Sequence, residues 1–292
     1  MRPEGDELAS ALEGLRNRPI VIEARDYARR WERSRARLEQ LRGVVFGKAG
    51  ALAVAACVMA YVAFGLRPML LPGPSAGSVT ATGVGETRVL ALEDGSRVML
   101  DTSSRLRVAY SSAARDVELL GGRAHFEVAR DAHRPFRVRT ASAEVVAVGT
   151  MFDVSALPTQ TTVTLIEGRV NVRTVADLAK ADPRVEALTP GEQLGVTRDG
   201  NLLEKTVVKI ENVTAWQRGT IVLDDMALPQ ALDALNRYSS TRIVISGESL
   251  QRQRVSGVFR IGDVETEVSA LQRYFDLKEA SRSGSEIVLE RR

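Results

Sequence analysis

The residues able to do acid–base or nucleophilic chemistry are few, and they are badly spaced for it. The chain has only two histidines, His125 and His133, the side-chain type most often used for proton transfer near neutrality. No third ligand stands near them at metal spacing, which makes His125 a strand-face residue and His133 a loop residue. Cys57 is the single cysteine, and it lies in the most apolar stretch. Neither an intramolecular disulfide nor a cysteine-based metal site can form. Ser96, in Asp94-Gly95-Ser96, has no evident base, and there is no nucleophile elbow, phosphate loop or paired-carboxylate arrangement. Enzymes are therefore the weakest class: no catalytic, metal or cofactor-binding residue is expected. What remains is the chemistry of recognition.

Two groups of residues suit recognition. Ala24, Tyr27, Trp31, Ser34, Leu38 and Leu41 recur at alternating three- and four-residue steps, a single apolar seam on a helix otherwise covered with Arg and Glu. Tyr and Trp bury large areas while fixing few rotors, so Trp31 is the first choice of anchor. The same seam could also pack on the preceding helix built from Leu8, Ala11, Leu12 and Leu15, self-associate, or lie on an anionic membrane face through its arginines. The second group is Val255 and Phe259, on a strand read either as an edge able to accept another strand or as an ordinary sheet strand.

The elements that carry these residues differ sharply along the chain. From Ala49 to Leu66 there are 18 residues without a charge, about 27 Å of helix and close to the thickness of a bilayer's hydrocarbon core. Including Gly43 to Lys48, the span reads as 43–66. Arg25, Arg29, Arg30, Arg33, Arg35, Arg37, Arg42 and Lys48 precede it, whereas Arg67 stands alone until Arg88. Positive flanks stay inside, so the N-terminus is expected in the cytoplasm and the rest across the membrane. More than forty residues before the apolar run fit an uncleaved signal anchor better than a cleaved signal peptide.

Composition agrees with a chain of 292 residues in two folded units plus appendages. A net charge of +3, from 40 basic and 37 acidic residues, is too balanced to argue for nucleic acid. After the turn-forming linker Pro72 to Ser78 the periodicity becomes that of strands, expected at 88–92, 97–100, 106–110, 117–120, 124–128, 136–139, 144–148, 152–154, 162–166 and 169–173. Glycine-containing turns at Asp94-Gly95, Gly121-Gly122, Gly149 and Glu167-Gly168 separate them. A barrel, a sandwich or a short β-solenoid suits this pattern, the solenoid slightly best.

Here a resemblance becomes specific. Leu92-Glu93-Asp94-Gly95-Ser96 with Val98 and Leu100-Asp101 resembles the opening motif of the FecR domain. In order follow Leu120-Gly121-Gly122 with Ala124, Phe126 and Val128, then Arg134-Pro135-Phe136-Arg137-Val138, then Ala147-Val148-Gly149-Thr150 with Phe152-Asp153-Val154. Glu167-Gly168 with Val170 and Pro190-Gly191-Glu192-Gln193-Leu194 complete the run. Most of these positions read as turns, loop caps and core rather than as reactive groups.

Beyond Trp216 the pattern is strand 220–223, helix 229–238, strand 242–245, strand 254–259, helix 264–275 and strand 286–289, two βαβ-like halves. Asp224, Leu228, Ala231-Leu232, Leu235, Val255-Ser256-Gly257, Phe259 and Leu271 resemble the short N-terminal signalling domain of secretins and TonB-dependent transducers. The expected fold is thus a multi-domain α+β chain: a helical cytoplasmic segment 1–42, a transmembrane helix 43–66, a linker 67–80, an all-β, solenoid- or barrel-like domain 81–197, and a small βαβ-repeat domain 211–292.

The resemblance implies a single-pass bacterial inner-membrane regulator, an anti-sigma factor. Its cytoplasmic helices would hold an extracytoplasmic-function sigma factor through Ala24, Tyr27, Trp31, Leu38 and Leu41. Its periplasmic domains would receive a signal from the signalling domain of a TonB-dependent outer-membrane receptor, with Val255 and Phe259 on the receiving strand. One departure is plain: the family's cytoplasmic domain is commonly longer and richer in tryptophan than this one. The alternative is a membrane-anchored periplasmic scaffold that binds an envelope protein without controlling a sigma factor.

Overall fold

The computed structural model describes residues 77–111, 114–180 and 184–292. The segment 1–42 with its seam Ala24, Tyr27, Trp31, Leu38 and Leu41, the span 43–66 and most of the linker lie outside the described residues. Among the described residues no helix is long and apolar enough to cross a membrane.

Two compact units follow. The first runs through Ile221 and takes in Arg237–Ser240; the second comprises Val222–Asn236 and Thr241–Arg292. The first is a thirteen-stranded sheet made of β1 (Val79–Ala81), β2 (Arg88–Ala91), β3 (Arg97–Leu100), β4 (Arg105–Tyr110), β5 (Arg115–Glu127), β6 (Phe136–Arg139) and β7 (Ala143–Ala147). It continues with β8 (Met151–Ala156), β9 (Gln160–Glu167), β10 (Val170–Thr174), β11 (Glu186–Leu188), β12 (Glu192–Thr197) and β13 (Thr206–Val207).

The sheet is organised by β5, thirteen residues long. Its first half pairs with β4 and β6, its second half with β3 and β8. One strand therefore belongs to two ladders, β1-β4-β5-β6-β7-β10-β11 and β2-β3-β5-β8-β9-β12-β13, which change over at Gly121-Gly122. Gly122 has φ +89°, and a Cβ there would lie 2.3 Å from Ser104 Oγ. Only glycine lets the backbones of β5 and the loop before β4 approach so closely.

Apolar side chains from both ladders meet in one core. Phe126 stacks on Phe152 at 5.1 Å and meets Phe136 edge-on at 6.0 Å, among Val98, Leu100, Leu119, Val138 and Val154. All pairs in this unit are antiparallel except β5 with β6. The all-β expectation holds. The stacked parallel rungs of a solenoid do not describe these strands, because tight glycine turns return the chain antiparallel; the curled, barrel-like form does.

The second unit contains β14 (Thr220–Ala227, whose first two residues belong to the first unit), β15 (Arg242–Ser246), β16 (Arg254–Arg260), β17 (Leu277–Arg282) and β18 (Glu286–Arg291), with helices Leu228–Asn236, Glu248–Gln251 and Val264–Phe275. Leu228, Ala231, Leu232 and Leu235 are the buried face of the first helix, as its spacing requires. That helix stops where the Asn236 side chain turns to the backbone of Ile243, Nδ2 donating to its carbonyl at 2.9 Å and Oδ1 accepting from its N–H at 2.7 Å. Asp263 caps the helix Val264–Phe275, accepting from Thr266 N–H at 3.3 Å. The two expected βαβ halves interleave: β14 pairs with β16, and β15 lies parallel to β18, which pairs with β17.

Candidate functional site

Buried charge concentrates at two places on β5, one in each half of the strand. In the first, Asp94 is a hub. Its carboxylate accepts from Ser96 N–H (3.1 Å) and Oγ (2.6 Å), Tyr110 Oη (3.0 Å) and Arg115 Nη1 (2.7 Å). Arg115 is fully buried, and it also donates to the carbonyls of Ala129 and Arg134 at 2.8 and 2.6 Å. Burial pushes the Asp94 carboxyl up, and the bonds from Ser96, Arg115 and Tyr110 outweigh it, holding the group below its ordinary range. The Ser96 hydroxyl is thus spent on Asp94, and its oxygen accepts Ala129 N–H at 3.0 Å. The Asp-Gly-Ser motif fastens loops.

The second place is Asp153 on β8, 2 % exposed. His125 Nδ1 lies 2.6 Å from Oδ1. Oδ2 accepts from Arg123 Nε (3.1 Å), Arg123 Nη2 (2.8 Å) and Trp216 Nε1 (3.0 Å). Arg123 and His125 reach it because Arg123 pairs with Ser155, and His125 with Asp153 itself, across the β5–β8 ladder. The Arg123 guanidinium also stacks on the Trp216 ring at 5.2 Å and donates from Nη2 to the Val213 carbonyl. Burial raises the Asp153 carboxyl, but the His125 bond, the Arg123 charge and the Trp216 bond together lower it further.

Chemically, Asp153 and His125 have the form of an orienting carboxylate with an imidazole. The far nitrogen, Nε2, faces Glu127 Oε1 at 3.9 Å rather than a nucleophile. The arrangement binds a chain segment; among the described residues no cluster of three His, Cys, Asp or Glu side chains could hold a metal ion.

The outer face of the β4-to-β10 ladder carries a third arrangement. Arg107, Glu118, Arg139, Glu144 and Arg173 stand in lateral register across five strands, alternating in sign. Arg107 meets Glu118 at 2.6 Å, while Glu144 lies between Arg139 at 2.9 Å and Arg173 at 2.5 Å. The row satisfies itself, as opposite charges on neighbouring strands do.

Of the residues singled out from the sequence, Val255 and Phe259 are brought together on β16, 1 % and 5 % exposed. Arg254, Ser256, Val258 and Arg260 alternate with them on the exposed face. His125 is on a strand face, though inside the Asp153 cluster rather than idle, and His133 is in a loop. Sequence reasoning missed Arg115, Arg123, Asp153 and the role of Trp216. No local signal marked them: a charge that alternates with core residues, as Asp153 does between Phe152 and Val154, reads as solvent-facing.

Comparison with known proteins agrees with this architecture. The family model described as FecR protein matches residues 78–171. No curated protein matches the chain. Two crystal structures of a candidate anti-sigma factor from Parabacteroides distasonis, at 1.65 and 2.50 Å resolution, are similar at 27 % identity, with TM-scores of 0.64 and 0.63. Each similarity covers 74 % of this chain and 99 % of the other. The matched stretch runs from the strand before β2 into β10 and holds the Asp94 hub, Gly122 and the Arg123–His125–Asp153 set, so residues 78–171 are a FecR-type domain.

Proposed function

We propose that the chain is an anti-sigma regulator that spans a bacterial inner membrane once through residues 43–66. Its cytoplasmic segment 1–42 holds an extracytoplasmic-function sigma factor, with Ala24, Tyr27, Trp31, Leu38 and Leu41 as the contact seam. Its two outer units, the β unit that runs through Ile221 and the small unit that begins at Val222, receive a signal from a TonB-dependent receptor. The observation that carries this reading is the FecR domain within a fold similar over 74 % of the chain to a candidate anti-sigma factor. The uncharged run from Ala49 to Leu66, behind its arginine-rich flank, supplies the crossing.

On the receptor side, β16 is the strand of choice. Among the described residues it belongs to a two-stranded sheet with β14, so one of its edges lacks a strand neighbour there. Val255 and Phe259 serve from beneath, fixing the strand to its own core, while main-chain groups and Val258 meet the incoming strand.

Affinity purification of the full chain from its own cells, with bound proteins identified by mass spectrometry, tests the reading. A sigma factor is expected, and Trp31→Ala is expected to reduce its recovery about tenfold or more, as loss of a central aromatic anchor does. Recovery of an envelope protein alone, or of a sigma factor indifferent to Trp31→Ala, would favour the scaffold reading instead.

A further inference from the structure

The chain between β13 and β14 forms little regular structure: a four-residue helical turn, Ile210–Val213, and a 3-10 turn, Ala215–Arg218. From Lys209 onward its backbone bonds close locally. Asn212 and Val213 N–H donate to the Lys209 carbonyl, Thr214 to Ile210, Gln217 to Thr214 and Gly219 to Trp216. Yet Ala215 and Trp216 are buried, 2 % and 3 % exposed. A buried attachment to the strands is made by side chains that meet at one carboxylate: Trp216 Nε1 on Asp153, with Arg123 bridging Asp153 to the Val213 carbonyl and stacking on the indole.

Asp153 does not need this segment in order to stay paired. Arg123 and His125 bond it from β5, within the same ladder, whether or not Trp216 is present. Departure of the segment would break no strand pair and leave Asp153 paired, whereas pulling out β5 or β8 would break strand pairs and orphan a buried charge. The freed Trp216 N–H and Val213 carbonyl would pass to water.

We propose that Lys209–Gly219 is a releasable strap, docked on β5 and β8 with Asp153 as its catch, and that the docked and lifted forms are two states between which a partner of the outer domains selects. Lifting frees eleven residues, up to about 36 Å of extended chain, without unfolding the β unit. The device requires no sigma factor, and its test is independent of one.

Native-state hydrogen exchange on the full chain reads the strap directly. Amides of Asn212–Gly219 are expected to exchange at least tenfold faster than those in the β5–β8 ladder, through an opening that leaves the ladder protected. If strap and ladder exchange through one common opening, the proposal is overturned. In a Trp31→Phe background Trp216 is the only tryptophan. There Asp153→Asn, which removes the charge, is expected to raise acrylamide quenching of Trp216 at least threefold and shift its emission to the red, with ladder protection within twofold of the parent. Unchanged quenching in a folded Asp153→Asn protein overturns the catch; should that variant not fold, the exchange order of the parent decides.

Discussion

Buried carboxylates in this protein divide by the number of donors each receives. Asp94 and Asp153 collect four or more hydrogen bonds apiece and stay ionised below the ordinary carboxylate range. Glu267, on the helix Val264–Phe275, is 2 % exposed, and its Oε1 has no hydrogen-bond partner. The sequence places Glu265 and Glu267 together near the positive end of that helix. In the fold they part: Glu265 pairs outward with Arg282 at 2.6 Å, and Glu267 turns in beside Val268 and Leu271. Burial, and then the neighbouring Asp263 charge, push the Glu267 carboxyl up from 4.5 to about 7. Between those values the folded state holds a proton that the unfolded chain has released, so this residue's contribution to stability falls as pH rises from about 4.5 to about 7 and is flat above. Glu267→Gln is expected to be near neutral at pH 5 and to stabilise the second unit by about 1–2 kcal/mol at pH 8. Urea unfolding of the two proteins at both pH values checks it; an equal difference at pH 5 and pH 8 would contradict the assignment.

At the scale of the element, β5 carries the most consequence. The sequence predicts separate strands at 117–120 and 124–128, with Gly121-Gly122 as a turn; in the fold the two are one strand, and the glycines are where it passes from one ladder to the other. The two glycines are not equivalent. A Cβ at Gly121 meets nothing within 4 Å, whereas one at Gly122 would lie 2.3 to 2.6 Å from Ser104, at a φ of +89°. Gly121→Ala is therefore expected to change stability by less than about 1 kcal/mol, and Gly122→Ala to lower it by about 3 kcal/mol or more, from left-handed strain plus forced displacement of the β4 approach. Thermal unfolding separates the pair; equal midpoints would show that the crossover tolerates a side chain. The eight other predicted strands of the β domain fall on β2 to β4 and β6 to β10, because the inner strands alternate apolar and polar residues. The missed strands are short or lie where alternation fails: β1 and β13 have three and two residues, and β17, Leu-Lys-Glu-Ala-Ser-Arg, buries only its first. Arg115 and Asp153 were illegible for the opposite reason, since a charge in an alternating strand reads as solvent-facing until its buried partners are brought to it by distant elements.

For the whole molecule the decisive quantity is the distribution of charge around residues 43–66. Eight basic residues from Arg25 to Lys48 precede the uncharged run, and Arg67 alone follows it before Arg88. Cations flanking an apolar helix resist translocation, so in the membrane-spanning reading proposed above this asymmetry, and not the nearly balanced net charge, would set the orientation. The β units bear on the same point: they contain no cysteine, because Cys57 is the only one in the chain, and so they need no reducing or oxidising compartment to fold. Alkaline phosphatase, active only outside the cytoplasm, is expected to be active when fused after Gly77 and inactive when fused after Arg42. Replacing Arg33, Arg35, Arg37 and Arg42 together by Gln leaves the apolar run intact but removes half of the inner flank; activity of the Gly77 fusion is then expected to fall severalfold as part of the population inserts in reverse. Equal phosphatase activity from both fusion points would place the aromatic seam and the FecR domain in one compartment, and a signal between them would have no membrane to cross.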